Sequence, residues 1–120
     1  MKLIIAGSRT ITDRNFVFDT INKIIKEQQL MITEVVSGGA KGVDRLGEEW
    51  AKVNKIPIKQ FIPAWDIFGK AAGHMRNSSM AEYGNILIAF SENNSKGTQD
   101  MIAKATKKNL LVFSIVYTSN

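Results

Sequence analysis

Glu34-Val35-Val36-Ser37-Gly38-Gly39-Ala40-Lys41-Gly42-Val43-Asp44 joins a short apolar run to a helical pattern through a loop almost without side chains. Three glycines and an alanine fall between positions 38 and 42, where a strand hands over to a helix. Such a loop lets backbone N–H groups and a helix N-terminus close on a phosphate or a sugar. The spacing matches neither the dinucleotide fingerprint G-x-G-x-x-G nor the Walker A loop, because no Gly-Lys-Ser/Thr follows. The usual modes of NAD binding and P-loop hydrolysis therefore lose weight. Asp44, at the start of the helix, either caps it or binds a ribose hydroxyl.

Two other junctions have the same build. Leu3-Ile4-Ile5-Ala6 runs into Gly7-Ser8-Arg9-Thr10, and Ile86-Leu87-Ile88-Ala89-Phe90 is followed by Ser95-Lys96-Gly97-Thr98. Gly7 lets the chain turn or a ligand approach, and Ser8 offers hydroxyl and backbone donors; an ordinary turn is the alternative. Gly97 and Thr98 would present N–H groups and a hydroxyl at the positive end of a helix dipole, with Lys96 adding charge. A capped helix start without a ligand would look the same.

Outward from these junctions the pattern alternates strand and helix. A strand is expected over 2–6, then a helix over 13–29 with Val17, Ile21, Ile24 and Ile25 on one stripe and Thr12 or Asp13 as N-cap. A strand over 33–37 precedes a helix over 42–54 that should bury Val43, Leu46, Trp50 and Val53. Pro57 opens a strand from Ile58 to Ile62, with Ile58, Gln60 and Ile62 opposing Lys59 and Phe61. A loop from Ala64 to Lys70 leads to a helix over 71–83. The run over 85–90 is apolar throughout, as in a central strand covered on both faces. A polar loop from Ser91 to Lys96, a helix over 97–108 and a strand from Leu110 to Tyr117 complete the chain. This alternation predicts one α/β domain over 1–120: a five-stranded parallel sheet with helices on both faces in three layers. Ligands of such sheets sit beyond the carboxyl ends of the strands, near the switch in strand order. All three small-residue loops fall at those ends.

Bulk properties narrow the function classes. The chain has 120 residues and 44% hydrophobic content, enough for one core. No apolar run is long enough to span a bilayer, and the N-terminus reads as a first strand without a cleavage region. Without cysteine there is no disulfide framework, thiolate nucleophile or Cys-based metal site, which is compatible with the cytoplasm; no metal site is expected. Sixteen Lys and Arg against eleven Asp and Glu give a net charge of +5, which favours anionic partners. The lysines spread over helix faces, whereas Arg9, Arg45 and Arg76 fall in or beside the small-residue loops. Arginine suits bidentate phosphate contacts, the alternative being helix capping or pairing with Asp44 and Glu48. Between Pro63 and Asn77, Trp65 and Phe68 either stack on a base or cover the sheet edge. His74 has no partner pattern and reads as structural, while Arg76 and Asn77 are better site candidates.

Gly7-Ser8-Arg9, the loop from Ser37 to Asp44, Pro63-Ala64-Trp65-Asp66, Gly73-His74-Met75-Arg76-Asn77 and Ser95-Lys96-Gly97-Thr98, in that order, resemble the SLOG superfamily, and more closely its small YspA-related branch of bacterial and phage proteins. SLOG proteins are Rossmann-like nucleotide binders that include the LOG phosphoribohydrolases and the DNA-processing protein DprA. The resemblance implies a nucleotide or ADP-ribose-like ligand across these loops, with phosphate or ribose held by the double-glycine stretch and by Gly97-Thr98. LOG enzymes cleave the N-glycosidic bond of nucleoside monophosphates, using an arginine in the third helix and a glutamate in P-G-G-x-G-T-x-x-E. Arg76 matches the arginine. The second motif reads Asn94-Ser95-Lys96-Gly97-Thr98-Gln99-Asp100-Met101, so methionine stands in place of glutamate. Asp100 is adjacent, but one residue on a helix is about 100° of rotation. A methionine cannot stabilise an oxocarbenium-like transition state.

The leading expectation is a module that senses or sequesters a nucleotide through Gly7, Ser8, Arg9, Ser37, Gly38, Gly39, Ala40, Gly42, Asp44, Trp65, Arg76, Asn77, Ser95, Lys96, Gly97 and Thr98. The alternative is an N-glycosidase in which Asp44, Asp66 or Asp100 replaces the glutamate, with Arg76 as partner. Single-stranded nucleic acid ranks third, since only Trp65 and Phe68 offer interleaved aromatics. SLOG relatives often pair, so a homodimer or higher homo-oligomer is expected. No membrane association is expected.

Overall fold

The expected alternation is realised in a computed structural model that describes residues 1–118. In chain order the elements are β1 (Lys2–Gly7), α1 (Arg14–Gln28), β2 (Glu34–Ser37), α2 (Val43–Val53), β3 (Ile58–Gln60), α3 (Trp65–Phe68), a 3₁₀ turn (Gly69–Ala71), α4 (Ala72–Tyr83), β4 (Ile86–Ser91), α5 (Lys96–Lys107) and β5 (Leu111–Val116). The five strands pair in the order β3-β2-β1-β4-β5. Every pairing is parallel; Leu3 lies opposite Ile86 and Gly7 opposite Phe90 across the β1–β4 seam. The fold is a Rossmann-like α/β sheet with helices on both faces.

The apolar runs explain the layering. Alternate residues of a strand point to opposite faces, and β1 and β4 are apolar at nearly every position. Leu3, Ile5, Ile86, Ile88 and Phe90 therefore pack under α1 and α2, against Val17, Ile21, Val43 and Trp50. Ile4, Ala6, Leu87 and Ala89 face the other way, against Met80 and Ala81 of α4 and Met101 and Ala105 of α5. Fully burying one such Leu or Ile contributes roughly 1.5–3 kcal/mol, so the β1–β4 seam is the best-anchored line in the molecule. The cap of α1 is Asp13, whose Oδ1 accepts from the Phe16 N–H at 3.1 Å.

Three local expectations are corrected. Val53 is 63% exposed instead of buried, and α2 buries Gly47 and Ala51 beside Trp50. A β-carbon at Gly47 would lie 2.7 Å from Ile5 Cγ2. The helix backbone thus rests directly on β1, which turns Val53 to solvent. The third strand stops at Gln60, leaving Ile62 63% exposed. Phe61 still donates its N–H to Ser37 O at 2.8 Å, but its ring turns to Tyr83, 5.4 Å away, rather than opposing Ile62 across a longer strand. The segment from Ala64 to Lys70 is not purely loop, since it holds α3 and the 3₁₀ turn, neither with a buried residue. Other boundaries move by about one residue. Among the described residues no helix is long and apolar enough to cross a membrane.

Candidate functional site

Strand order reverses at β1, which has β2 on one side and β4 on the other. The chain leaves β1 for α1 on one face and leaves β4 for α5 on the opposite face, so the loops after β1 and β4 splay apart. A cleft of about 450 Å³ opens there. Its walls come from the loops after β1, β2 and β4, from the middle of α4 (Arg76, Asn77 and Met80) and from the start of α5.

The β1 loop is fixed by crowding. A β-carbon at Gly7 would lie 2.3 Å from Phe90 O and 2.8 Å from Val43 Cγ2. Ser8 is 3% exposed; its N–H donates to Phe90 O at 2.9 Å and its Oγ accepts from the Glu92 N–H at 2.9 Å. Ser8 thus stitches the loops after β1 and β4 together, while its carbonyl accepts from Val43 N at 3.3 Å. Arg9 follows, exposed and lining the cleft. Among the described residues it forms no hydrogen bond or ion pair.

In the glycine-rich loop, Ser37 Oγ donates to Glu48 Oε2 at 2.7 Å and accepts from Gly39 N–H at 3.1 Å, closing the turn from below. Gly42 has φ +75°, and a β-carbon there would lie 2.4 Å from Ser8 O; both facts require glycine where the loops touch. Asp44 accepts from Ala40 N–H through Oδ2 at 3.1 Å. Burial pushes its carboxyl from 3.8 up to about 6, opposed by the Ala40 N–H and the Arg76 charge. Asp44 therefore braces the loop that it follows while lining the cleft.

Arg76 reaches across from α4. Its Nη1 donates to Gly38 O at 2.7 Å and its Nε to Asn77 Oδ1 at 2.9 Å. A β-carbon at Gly38 would fall 2.3 Å from Arg76 Nη1, so Gly38 is glycine to admit this arginine. Burial lowers the guanidinium's pKa; Asp44 works against that, and Arg9 adds to it as a second cation. Arg76 forms no ion pair among the described residues, leaving two guanidinium groups on one cleft. Asn77, 5% exposed, passes the arrangement on by donating to Asp100 Oδ2 at 2.9 Å. Asp100 also accepts from Lys104 Nζ at 2.6 Å and His74 Nδ1 at 3.1 Å. Burial alone would raise the Asp100 carboxyl, but these three donors outweigh it and hold it low.

The first turn of α5 closes the cleft with Ser95, Gly97 and Thr98. Thr98 Oγ1 donates to Ser95 Oγ at 3.1 Å, and a β-carbon at Gly97 would meet no protein atom within 4 Å. Met101, 1% exposed, lines the floor beside Met80. Next to this cleft, Gly38, Gly39, Ile62, Pro63 and Trp65 form a slot of about 130 Å³ that shares Arg9, Ala40 and Arg76 with it. Trp65, 48% exposed, is its aromatic wall.

The structure thus brings Gly7, Ser8, Arg9, Ala40, Asp44, Arg76, Asn77, Ser95, Gly97 and Thr98 to one cleft, and Gly38, Gly39 and Trp65 to the adjoining slot. Ser37 and Gly42 shape the loop from behind. Lys96, Arg45, Asp66 and Asp100 do not line either cavity, and Phe68 lies with Met75 in a further groove that adjoins the slot through Ile62, Pro63 and Arg76. Sequence reasoning missed Thr10, Met80, Glu92 and Asn93. Thr10 Oγ1 donates to Glu92 Oε1 at 2.6 Å across the cleft mouth. The signal available was position, since Glu92 and Asn93 directly follow the central strand. Among the described residues no cluster of three His, Cys, Asp or Glu is placed to hold a metal ion.

Comparison with known proteins gives three likenesses. The family model described as the YspA, cpYpsA-related SLOG family matches residues 1–68. Gene 61 protein of Mycobacterium phage D29 is 29% identical, with 94% of each chain covered. The X-ray structure of DNA processing protein A from Streptococcus pneumoniae superposes with a TM-score of 0.73 at 20% identity, over 98% of this chain. The chain spans 50% of that protein, and the likeness is one of fold.

Proposed function

This chain belongs to the YspA, cpYpsA-related SLOG family, and we propose that it binds a nucleotide or nucleotide-derived ligand at the switch-point cleft, as a sensor or sequestering module. One observation carries this reading: Arg9 and Arg76 line the cleft together and neither is neutralised by an ion pair among the described residues. The carboxylates of the same cleft, Asp44 and Glu92, are taken up by the Ala40 N–H and by Thr10 Oγ1, and arginine forks match phosphate oxygens. The bare first turn of α5 adds N–H groups at the opposite wall. In this reading the phosphates lie between Arg9, Arg76 and Gly97, and the base stacks on Trp65 in the slot.

Calorimetric titration of the intact chain with phosphorylated nucleosides tests it. Arg9→Ala removes a side chain without partners among the described residues, so the fold survives and affinity falls on the order of tenfold or more, as for one charge-assisted hydrogen bond. Arg76→Ala should weaken binding at least as much. Unchanged affinity in both variants would sink the proposal.

A second reading, hydrolysis of an N-glycosidic bond, is favoured by Asp44, a cleft-lining carboxyl pushed up to about 6, where an acid–base group works near neutral pH. Release of free base from a nucleotide panel, abolished by Asp44→Asn, would support it. Against it, Met101 puts a thioether on the cleft floor, Asp66 is exposed elsewhere, and three donors tie down Asp100.

A further inference from the structure

The sheet ends in β3 on one side and in β5 on the other, and the two edges are built differently. β3 is three residues long, carries Lys59 and is bracketed by Pro57 and Pro63. Shortness, lysine and proline are the usual means of keeping an edge from pairing with another chain. β5 has none of them. It runs for six residues, Leu111 to Val116, and no charged residue or proline falls between Asn109 and Thr118. Leu111 is 45% exposed and Val116 77%. The ladder with β4 fixes which backbone groups are open. Leu111 N–H donates to Asn85 O at 3.4 Å and Tyr117 N–H to Ser91 O at 2.8 Å. The odd-numbered residues therefore bond inward, and Val112, Ser114 and Val116 turn their N–H and C=O groups away from the sheet. Among the described residues no strand pairs with them.

This edge is chemically close to its own mirror image about Ser114. Antiparallel pairing of two copies about that residue sets Ser114 opposite Ser114 and Val112 opposite Val116. These are the residues whose backbone groups are open, and they fall into the hydrogen-bonded pairs of the new ladder. Between them, Phe113 comes opposite Ile115, and Leu111 opposite Tyr117. Apolar pairs thus flank a small serine at the centre, the kind of cross-strand contact that stabilises a sheet. The faces agree as well. Val112 packs on the α5 side, and Phe113, Ile115 and Tyr117 on the α1 side, so each apolar layer continues into the same layer of the second copy. We infer that the β5 edge is a docking surface for a second copy of this chain, paired antiparallel about Ser114 into one continuous sheet. The family resemblance implies pairing without a surface, and this edge supplies one. Antiparallel pairing sends the carboxyl ends of the two sets of strands to opposite sides of the joined sheet. The two switch-point clefts then open away from each other, and neither copy contributes a residue to the other's cleft.

Sedimentation velocity of the intact chain over a concentration series tests it. The mass should rise toward twice 13.3 kDa, and hydrogen exchange at the Val112, Ser114 and Val116 amides should slow as the dimer forms. Ser114 is exposed, so Ser114→Lys and Ser114→Glu keep the fold while setting like charges face to face at the dyad. Each should weaken self-association on the order of tenfold or more. Mixing the two variants should restore the dimer, because lysine then faces glutamate. Val116→Lys, at an exposed position opposite Val112 of the second copy, should weaken it too. A chain that stays at monomer mass up to roughly 1 mM overturns the inference. So does a dimer that keeps its strength in all three variants, or a mixture of the Lys and Glu variants that stays monomeric.

Discussion

Replacing Asp44 with asparagine tests the electrostatics that hold the glycine-rich loop. The side chain is 5% exposed, and burial lifts its carboxyl from 3.8 to about 6 even against the Ala40 N–H and the Arg76 charge. A carboxyl with a raised pKa binds its proton more tightly folded than unfolded. Its contribution is most favourable below about pH 4 and is lost as pH rises through about 6. Above both values the ionised carboxylate costs the folded state about 3 kcal/mol, at about 1.4 kcal/mol per pH unit. Asparagine keeps the shape and an oxygen that accepts from Ala40, but it does not ionise. Urea unfolding of both proteins from pH 4 to 7.5, with m-values compared, gives the stability difference at each pH. The other carboxylates titrate in both chains and cancel. The difference should move in favour of Asp44→Asn by about 2–3 kcal/mol between pH 4 and pH 7. A difference constant within about 0.5 kcal/mol, smaller than half a pH unit of displacement, would refute burial as the force acting on Asp44.

Two other substitutions separate fold from site. Gly97→Ala introduces a β-carbon that meets no protein atom, so thermal unfolding should show a gain of about 0.4–1 kcal/mol while calorimetry shows weaker nucleotide binding; tighter or equal binding would remove Gly97 from the phosphate wall. Asn77→Ala leaves Arg76 Nε and Asp100 Oδ2 without their shared partner. It should cost about 1–3 kcal/mol in urea unfolding and also weaken nucleotide binding, and a loss of stability with affinity intact would make Asn77 a brace only.

Much of this architecture is legible in the sequence because buried parallel strands advertise themselves. The run Ile86–Phe90 is apolar throughout because both of its faces are covered, and the register that sets Gly7 opposite Phe90 follows from packing two such runs together. Small residues at the strand ends likewise reveal where loops converge. The reason for each glycine is not legible, since it depends on partners far along the chain. Gly38 is small because Arg76 arrives from α4, Gly42 because Ser8 lies against it, and Gly47 because α2 rests on Ile5. Only Gly97 remains open toward the cleft. For the same reason Ser8, which looks like a donor awaiting a ligand, is used up by Glu92 across 84 positions, while Glu92, which looks like loop filler, stands at the cleft mouth.

Met101 joins the two kinds of information. The resemblance to LOG enzymes puts it at the place of their glutamate, and the fold puts it on the cleft floor beside Met80, both nearly fully buried. A carboxylate there would lie in the same cleft as Arg9 and Arg76 and would offset part of their charge. A thioether leaves that charge for the ligand and lays an apolar floor beneath it. Within the proposed reading, a thioether at this position in place of a carboxylate leaves a stronger field on a bound anion.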